Sequence, residues 1–487
     1  MGITEHRSAE CARWIALAVV CLAQLMSIVD VSIVNVALPS IQRSLHFRTS
    51  DLTWVPNGYL ITFGSLLLLG GRLGDLVGRR RVFLVGVGVF TAASALCGLS
   101  DSQTLLIAAR VLQGAGGAAA SSAVMAIITT EFPEPRERAR AMSVYMLIIS
   151  AGGSVGLLAG GVITQLLNWH WIFFVNVPVG IAAFVLGRIW IVENPRLGVG
   201  RNVDIAGPLL VTAAMMSAVY AIVASATHGW GSAQTLGFGA AAVAMLAAFV
   251  AVEARHLDPI MPLRIFAIPG IAGSSVARGL LMAGMYSTFF IGVLYMQHVL
   301  HYGTLETGLA FLPQTLALAA LSMGPTARIV NRFGPRPPAL CGTALCGAAL
   351  ALMLRLGSGS SYAGDILIPL VLFGIGAGVA MMPLLTIAMA NVKPADAGMA
   401  SGIVNTSLQL SGAFAIAVLG TLASDRTRTL LATGATQAHA LVGGYHLAFG
   451  IGTGCIAAGL LFELVWWGAP RLREVIGATG SPSERAS

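Results

Sequence analysis

Apolar residues run through this chain in long, nearly unbroken blocks. Short segments rich in arginine, glycine and proline separate them. A helix needs about 20 apolar residues to cross a bilayer. On that scale the blocks predict fourteen spanning helices, at 14–38, 52–74, 82–100, 104–129, 141–165, 171–193, 204–226, 236–254, 268–297, 305–327, 338–356, 366–390, 398–423 and 445–468. The seventh and eighth blocks are the least distinct, and a count of twelve without them is the alternative.

Composition agrees with a membrane chain. Of 487 residues, 56% are hydrophobic and only 10% charged, whereas a soluble domain carries about 25% charged residues. The first block, from Trp14 to Leu38, is too long for the apolar core of a signal peptide and is followed by no small-residue cleavage site. The net charge of +8 comes from arginines scattered over short loops rather than gathered on one face, which argues against nucleic-acid binding. With the N-terminus placed in the cytoplasm, twenty of the 28 basic residues fall on the inner side. Arg43, Arg48, Arg355, Arg426 and Arg428 fall outside, and Arg110, Arg188 and Arg278 lie within spans. That asymmetry fits the positive-inside rule and puts both termini in the cytoplasm, with the protein in the cell membrane. Twelve spans would orient the chain in the same way. Cys21, Cys97, Cys341, Cys346 and Cys455 lie in or beside apolar blocks and read as small hydrophobes rather than a disulfide framework.

Polar residues inside apolar blocks are the candidate chemistry. The stretch "CLAQLMSIVDVSIVNVAL" (21–38) carries Asp30 in an otherwise lipid-compatible sequence. A carboxylate at mid-bilayer costs about 3 kcal/mol even on the lenient insertion scale. In the fourth block, Arg110 shares a helix face with Gln113, Gly114 and Gly117, and the small residues allow a neighbouring helix to approach. Whether Asp30 and Arg110 meet is open at this level. Arg278, some ten residues into the ninth block, either lines a cavity or snorkels to the interface. Arg188 and Glu463 lie nearer predicted inner ends and read as snorkelling residues. Gln24, Asn35, Asn176, Gln297, Gln314, Asn405 and Gln409 are further cavity candidates, with Met282, Met285, Phe289 and Phe290 as adaptable apolar walls. The glycines of "GIGAGVA" (374–380) follow no strand and read as helix packing, not a nucleotide loop. His298 and His301 have no acidic cluster nearby, so no metal site is expected.

The segment "GGRLGDLVGRRRVF" (70–83) places Gly71, Gly74 and Gly78 where two helices turn, with Asp75 beside Arg79 and Arg80 as hydrogen-bond donors. It resembles the loop signature between the second and third helices of the major facilitator superfamily. "DVSIVNVALP" (30–39), "RVLQGAGGAAA" (110–120), "GGSVGLLAGG" (152–161) and "NWHWIFFVNVPVG" (168–180) resemble, in order, motifs of its fourteen-helix drug:proton antiporters. The fifth-helix motif usually has proline where this chain has Leu157, while Gly152, Gly156, Gly160 and Gly161 remain.

The resemblance implies an all-α membrane protein of two six-helix bundles plus two inserted helices. Its parts are a cytoplasmic tail (1–13), a first bundle (14–193), linkers with the inserted pair (194–265), a second bundle (266–468) and a second tail (469–487). It also implies proton coupling through Asp30 and Arg110; a fixed structural ion pair is the plainer alternative. Gly71, Asp75, Gly78, Arg79, Arg80 and Asp396 become a conformational switch, with Asp75 facing the start of the thirteenth helix and Asp396 suited to cap it. "ARIVNRFGPRP" (327–337) looks like a degenerate copy of the 70–83 loop. The expected activity is proton-driven export of small amphiphilic drugs or antibiotics by a monomer, with no cofactor beyond the proton gradient and no enzymatic step. An uptake permease of the same fold and a non-transporting sensor are the rivals.

Overall fold

A computed structural model of the chain describes residues 2–193, 206–255, 259, 261, 263–322, 324–393 and 396–478. Every long element among them is a helix, as backbone groups in hydrocarbon must bond within their own segment. We number the principal helices in chain order. The first six are α1 (Gly2–Leu45), α2 (Trp54–Val77), α3 (Arg79–Gly98), α4 (Gln103–Glu131), α5 (Pro135–Leu166) and α6 (Trp171–Trp190). The inserted pair is α7 (Ala206–His228) and α8 (Ala233–Arg255). The last six are α9 (Ile271–His298), α10 (Thr304–Ser322), α11 (Arg336–Met353), α12 (Tyr362–Met389), α13 (Ala397–Ala432) and α14 (Gln437–Ala478).

Thirteen of these, among the described residues, hold a stretch long and apolar enough to cross a bilayer. The remaining predicted span, 141–165, lies within α5, whose described apolar part is Val155–Leu166. Of the segments predicted as linkers around the inserted pair, 194–204 lies outside the described residues, as do 256–258, 260 and 262 in the second.

Close glycine contacts set the packing within each half. A Cβ on Gly86 of α3 would stand 2.3 Å from the Ala120 nitrogen of α4, and one on Gly116 would stand 2.5 Å from the Phe90 nitrogen. The pair α11 and α12 repeats the device, with Gly342 against Gly376 and Ala380. Helices α1 to α6 pack together, as do α9 to α14, while α7 lies against both α2 and α13 and carries α8 on its far side.

Contacts between the halves begin at the predicted outer end and continue inward. The Gln297 amide (Nε2) donates to the Val36 carbonyl at 3.0 Å, and Thr304 Oγ1 to the Gly161 carbonyl at 3.2 Å. Deeper in, α2 runs along α13: Thr406 Oγ1 donates to the Gly64 carbonyl at 2.9 Å, and Leu68 packs over Gly402.

Candidate functional site

Four of the polar residues that interrupt the first, fourth and sixth apolar blocks converge on one point inside the first half. Asp30, midway along α1, is 0% exposed. Arg110 on α4, 1% exposed, donates from Nη1 to Asp30 Oδ2 at 2.5 Å. Gln113, one turn on, donates from Nε2 to Asp30 Oδ1 at 2.8 Å, and Asn176 of α6 donates from Nδ2 to the same oxygen at 2.9 Å. The carboxylate thus accepts from three donors on two helices, which compensates its removal from water. Arg110 is also well supplied: Nη1 reaches Gln113 Oε1 at 2.6 Å, Nε reaches the Val55 carbonyl at 3.0 Å, and its guanidinium lies 4.6 Å from the centre of the Tyr59 ring. Gln113 Nε2 further donates to Ser94 Oγ of α3 at 2.8 Å.

The fifth-helix glycines pack against the helix that carries Asp30. Gly152, Gly156 and Gly160 seat α5 directly on the Leu25–Ile33 stretch of α1: a Cβ at Gly156 would stand 2.7 Å from Ser32 Cβ and 2.9 Å from the Val29 carbonyl oxygen. Gly161 faces the other half, against the backbone of Thr304 and Leu305. Leu157 is buried, and its carbonyl oxygen lies 2.7 Å from the Cβ position of Gly308 on α10. The glycine helix therefore touches the Asp30 helix on one side and the second half on the other.

The 70–83 loop forms a turn at Gly78, whose φ of +116° is a backbone region that disfavours side chains. Gly71 faces open space. Arg79 donates to the Ala126 carbonyl at 3.2 Å and to Thr130 Oγ1 at 2.8 Å, so it fastens the loop to α4. Arg80 donates to the Arg188 carbonyl, joining the loop to α6. The side chain of Asp75 lies outside the described residues, and so do those of residues 397 and 398 at the start of α13. Asp396 does precede α13, yet its side chain caps no amide. It pairs instead with Arg264 at 2.9 Å, because the short helix Leu263–Ala267 brings that arginine across.

The other candidates do not join the Asp30 cluster. Gln24 is half-buried with Oε1 unpartnered, and Asn35 donates to the Val31 carbonyl of its own helix. Gln297 serves the contact between the halves, Asn405 is exposed, and Gln409 packs by its Cβ on Gly64. Gln314 is wholly buried with neither amide atom bonded. Phe289 stacks on Phe311 with ring centres 5.1 Å apart, and Met282 is buried nearby on α9. Arg278 is buried, with Nε and Nη1 lacking partners. Arg188 is exposed, as a snorkelling residue would be, but Glu463 is not. It is fully buried and accepts from Thr343 Oγ1 at 3.2 Å, because α14 continues to Ala478 and leaves residue 463 inside the bundle. Sequence reasoning also missed Tyr59, Ser94 and the buried Asn57; the first two look like ordinary packing residues in an apolar run.

Comparison with known proteins agrees with this architecture. The profile described as Major Facilitator Superfamily matches residues 20–416. Puromycin resistance protein pur8 of Streptomyces alboniger is 37% identical over 97% of this chain and 94% of its own length. Cephamycin export protein CmcT of Amycolatopsis lactamdurans is 37% identical over 85% of each chain. Among solved structures, an auto-inhibited POT family peptide transporter superposes with a TM-score of 0.69 at 15% identity, covering 97% of this chain and 99% of that one, a likeness of fold alone. The chain belongs to the major facilitator superfamily and is a multi-pass membrane transporter rather than an enzyme.

Proposed function

We propose that the protein is a proton-coupled antiporter that exports amphiphilic drugs or antibiotics across the cell membrane by alternating access, as a monomer with both termini in the cytoplasm. The observation that carries this proposal is the Asp30 carboxylate, fully buried and held by Arg110, Gln113 and Asn176. A carboxyl group whose partners include a buried cation has two distinct arrangements, one ionised and one protonated. Adding a proton removes the anionic acceptor of Arg110, and the guanidinium then relies on Gln113 Oε1 and the Val55 carbonyl. The helix that carries Asp30 packs by another face on the glycine seam of α5, which also touches α10, so a shift of α1 on a change at the carboxyl reaches the joint between the halves. The gradient can contribute about 2.3 kcal/mol per charge per 100 mV. In the same scheme Asp75, within the loop pinned by Arg79 and Arg80, meets the start of α13 when the inner side closes.

The export direction draws support from the relatives, one named for puromycin resistance and one for cephamycin export. The test is drug susceptibility of an efflux-deficient host, with pH-gradient-driven transport in everted vesicles. Wild type should lower susceptibility to some compounds in a broad panel, and Asp30→Asn should abolish that effect while still reaching the membrane. Unchanged susceptibility across the panel, or an Asp30→Asn variant that pumps like wild type, refutes the proposal; uptake in the opposite direction favours a permease.

A further inference from the structure

The second half holds a buried arginine with no counter-charge among the described residues. Arg278 is 7% exposed, yet Nε and Nη1 are sealed from solvent without a hydrogen-bond partner. Removing one partner of a buried ion pair is strongly destabilising because the remaining charge stays uncompensated. Arg110 in the first half shows the satisfied alternative, with a carboxylate, an amide oxygen, a carbonyl and an aromatic ring around it. Arg278 bears a like cost of burial and, among the described residues, has none of these partners.

Two further donors share its place. Ser274 and Ser275 lie one turn back on α9, both buried, and neither hydroxyl has a partner. Buried helix serines commonly bond back to the carbonyl of the preceding turn, as Ser27 and Ser94 do here. At offsets of three and four residues, both serines fall on the Arg278 face.

The same face turns apolar further along. Met282 and Met285 follow Arg278 at offsets of four and seven residues, which return to one side of an α-helix, and Phe289 follows in the π-turn Ser287–Ile291. Met285 and Phe289 are only partly buried, whereas Leu281, Phe290 and Val293 on the other sides are fully enclosed. From Arg278 to Phe289 the helix rises about 16 Å.

We propose that the transported molecule is an amphiphilic organic anion. Its acid group binds the guanidinium of Arg278 and the hydroxyls of Ser274 and Ser275, while its apolar body lies along Met282, Met285 and Phe289. This names the substrate class for the export proposed above and rests on that proposal only for direction. The anion supplies the acceptor that the structure leaves out, so the cost of burying Arg278 is offset only when substrate is present. An ammonium at the same spot meets like charge.

The test uses the full-length protein in lipid nanodiscs and three matched probes: 1-pyrenebutyrate, 1-pyrenebutanol and 1-pyrenebutylamine. These share the ring and chain and differ only in the end group. Wild type should bind the acid at least about tenfold more tightly than the alcohol and the amine, as expected of a charge-assisted bond in a buried site. Arg278→Gln should bring the acid to the affinity of the alcohol while leaving the alcohol unchanged. Arg278→Lys should keep part of the preference, and the paired change Ser274→Ala with Ser275→Ala should reduce it severalfold without touching the arginine. Size-exclusion behaviour and retained alcohol binding show that each variant is folded. No acid preference in wild type, or a preference that survives Arg278→Gln, overturns the assignment. Binding is read without a proton gradient, so acid-selective binding with no pumping defeats the exporter proposal and leaves the anion site at Arg278 standing.

Discussion

A double-mutant cycle on Asp30 and Arg110 measures what the central cluster contributes. In Asp30→Asn the guanidinium stays buried without its anion, and in Arg110→Gln the carboxylate stays buried without its cation. Either change costs about 3–5 kcal/mol for a fully buried pair. The surroundings place both near the lower bound. Asp30 keeps Gln113 and Asn176 at 2.8 and 2.9 Å, and Arg110 keeps Gln113 Oε1 at 2.6 Å, the Val55 carbonyl at 3.0 Å and the Tyr59 ring. Independent losses would sum to about 6 kcal/mol. The double variant, however, buries two neutral amides able to bond each other, and should lose only about 1–2 kcal/mol. The coupling energy is therefore about 4 kcal/mol. Equilibrium unfolding in mixed micelles with increasing SDS, followed by tryptophan fluorescence, reads all four proteins. Additivity within about 0.5 kcal/mol would mean that the two side chains are not partners in the folded state and would refute the reasoning.

Three further outcomes follow from particular contacts. Gly156→Ala places a methyl group 2.7 Å from Ser32 Cβ and 2.9 Å from the Val29 carbonyl, so thermal unfolding should show a loss of about 1–3 kcal/mol from overpacking; an unshifted melting curve would contradict the α1–α5 contact. Gln297→Ala with Thr304→Val removes two bonds between the halves. At about 1 kcal/mol each, the outward-open population should rise more than tenfold, read as faster thiol labelling of a cysteine placed at Val36, and unchanged labelling would remove these bonds from the outer seal. Gly78→Ala suffers both a positive φ and a clash with the Glu193 carboxylate. Adding Glu193→Ala should recover only part of the lost stability, because about 1 kcal/mol or more of backbone strain remains, and full recovery would assign the whole effect to the clash.

How much of this was legible in the sequence depended on the kind of signal. The helices were legible because a bilayer demands long apolar runs, and Asp30, Arg110, Gln113 and Asn176 stood out because each interrupts one. Their meeting was not legible: the Asp30–Arg110 bond spans 80 residues and the Asp30–Asn176 bond 146, and periodicity within a helix carries no information about which faces of different helices oppose each other. Tyr59 and Ser94 escaped notice for the opposite reason, since both are ordinary in a packed helix and acquire a role only from what lies beside them. Glu463 was misplaced by the charged segment that follows it, which ends the apolar run but not α14. Asp396 was put at the correct helix start and given the wrong partner, because Arg264 reaches it from 132 residues away.

The two halves treat buried charge in opposite ways, and under the functions proposed above that difference divides the labour. The first half closes its circuit internally: every polar atom of the Asp30 carboxylate has a donor, and the arginine has acceptors of its own. Such a site responds to a proton and has no vacancy for a larger ligand. The second half leaves Arg278 and, one turn back, Ser274 and Ser275 with buried groups unbonded, where the proposed anion would find its donors. Coupling and recognition should therefore separate on mutation. Gln113→Leu should alter the pH dependence of transport while leaving probe affinity within about twofold, because it touches only the carboxyl network. Arg278→Gln should shift affinity for anionic probes and leave the shape of the pH profile unchanged. If instead both variants move both quantities together, the proton and the substrate share one site, and the seam of α5 against α1 and α10 is not what connects two.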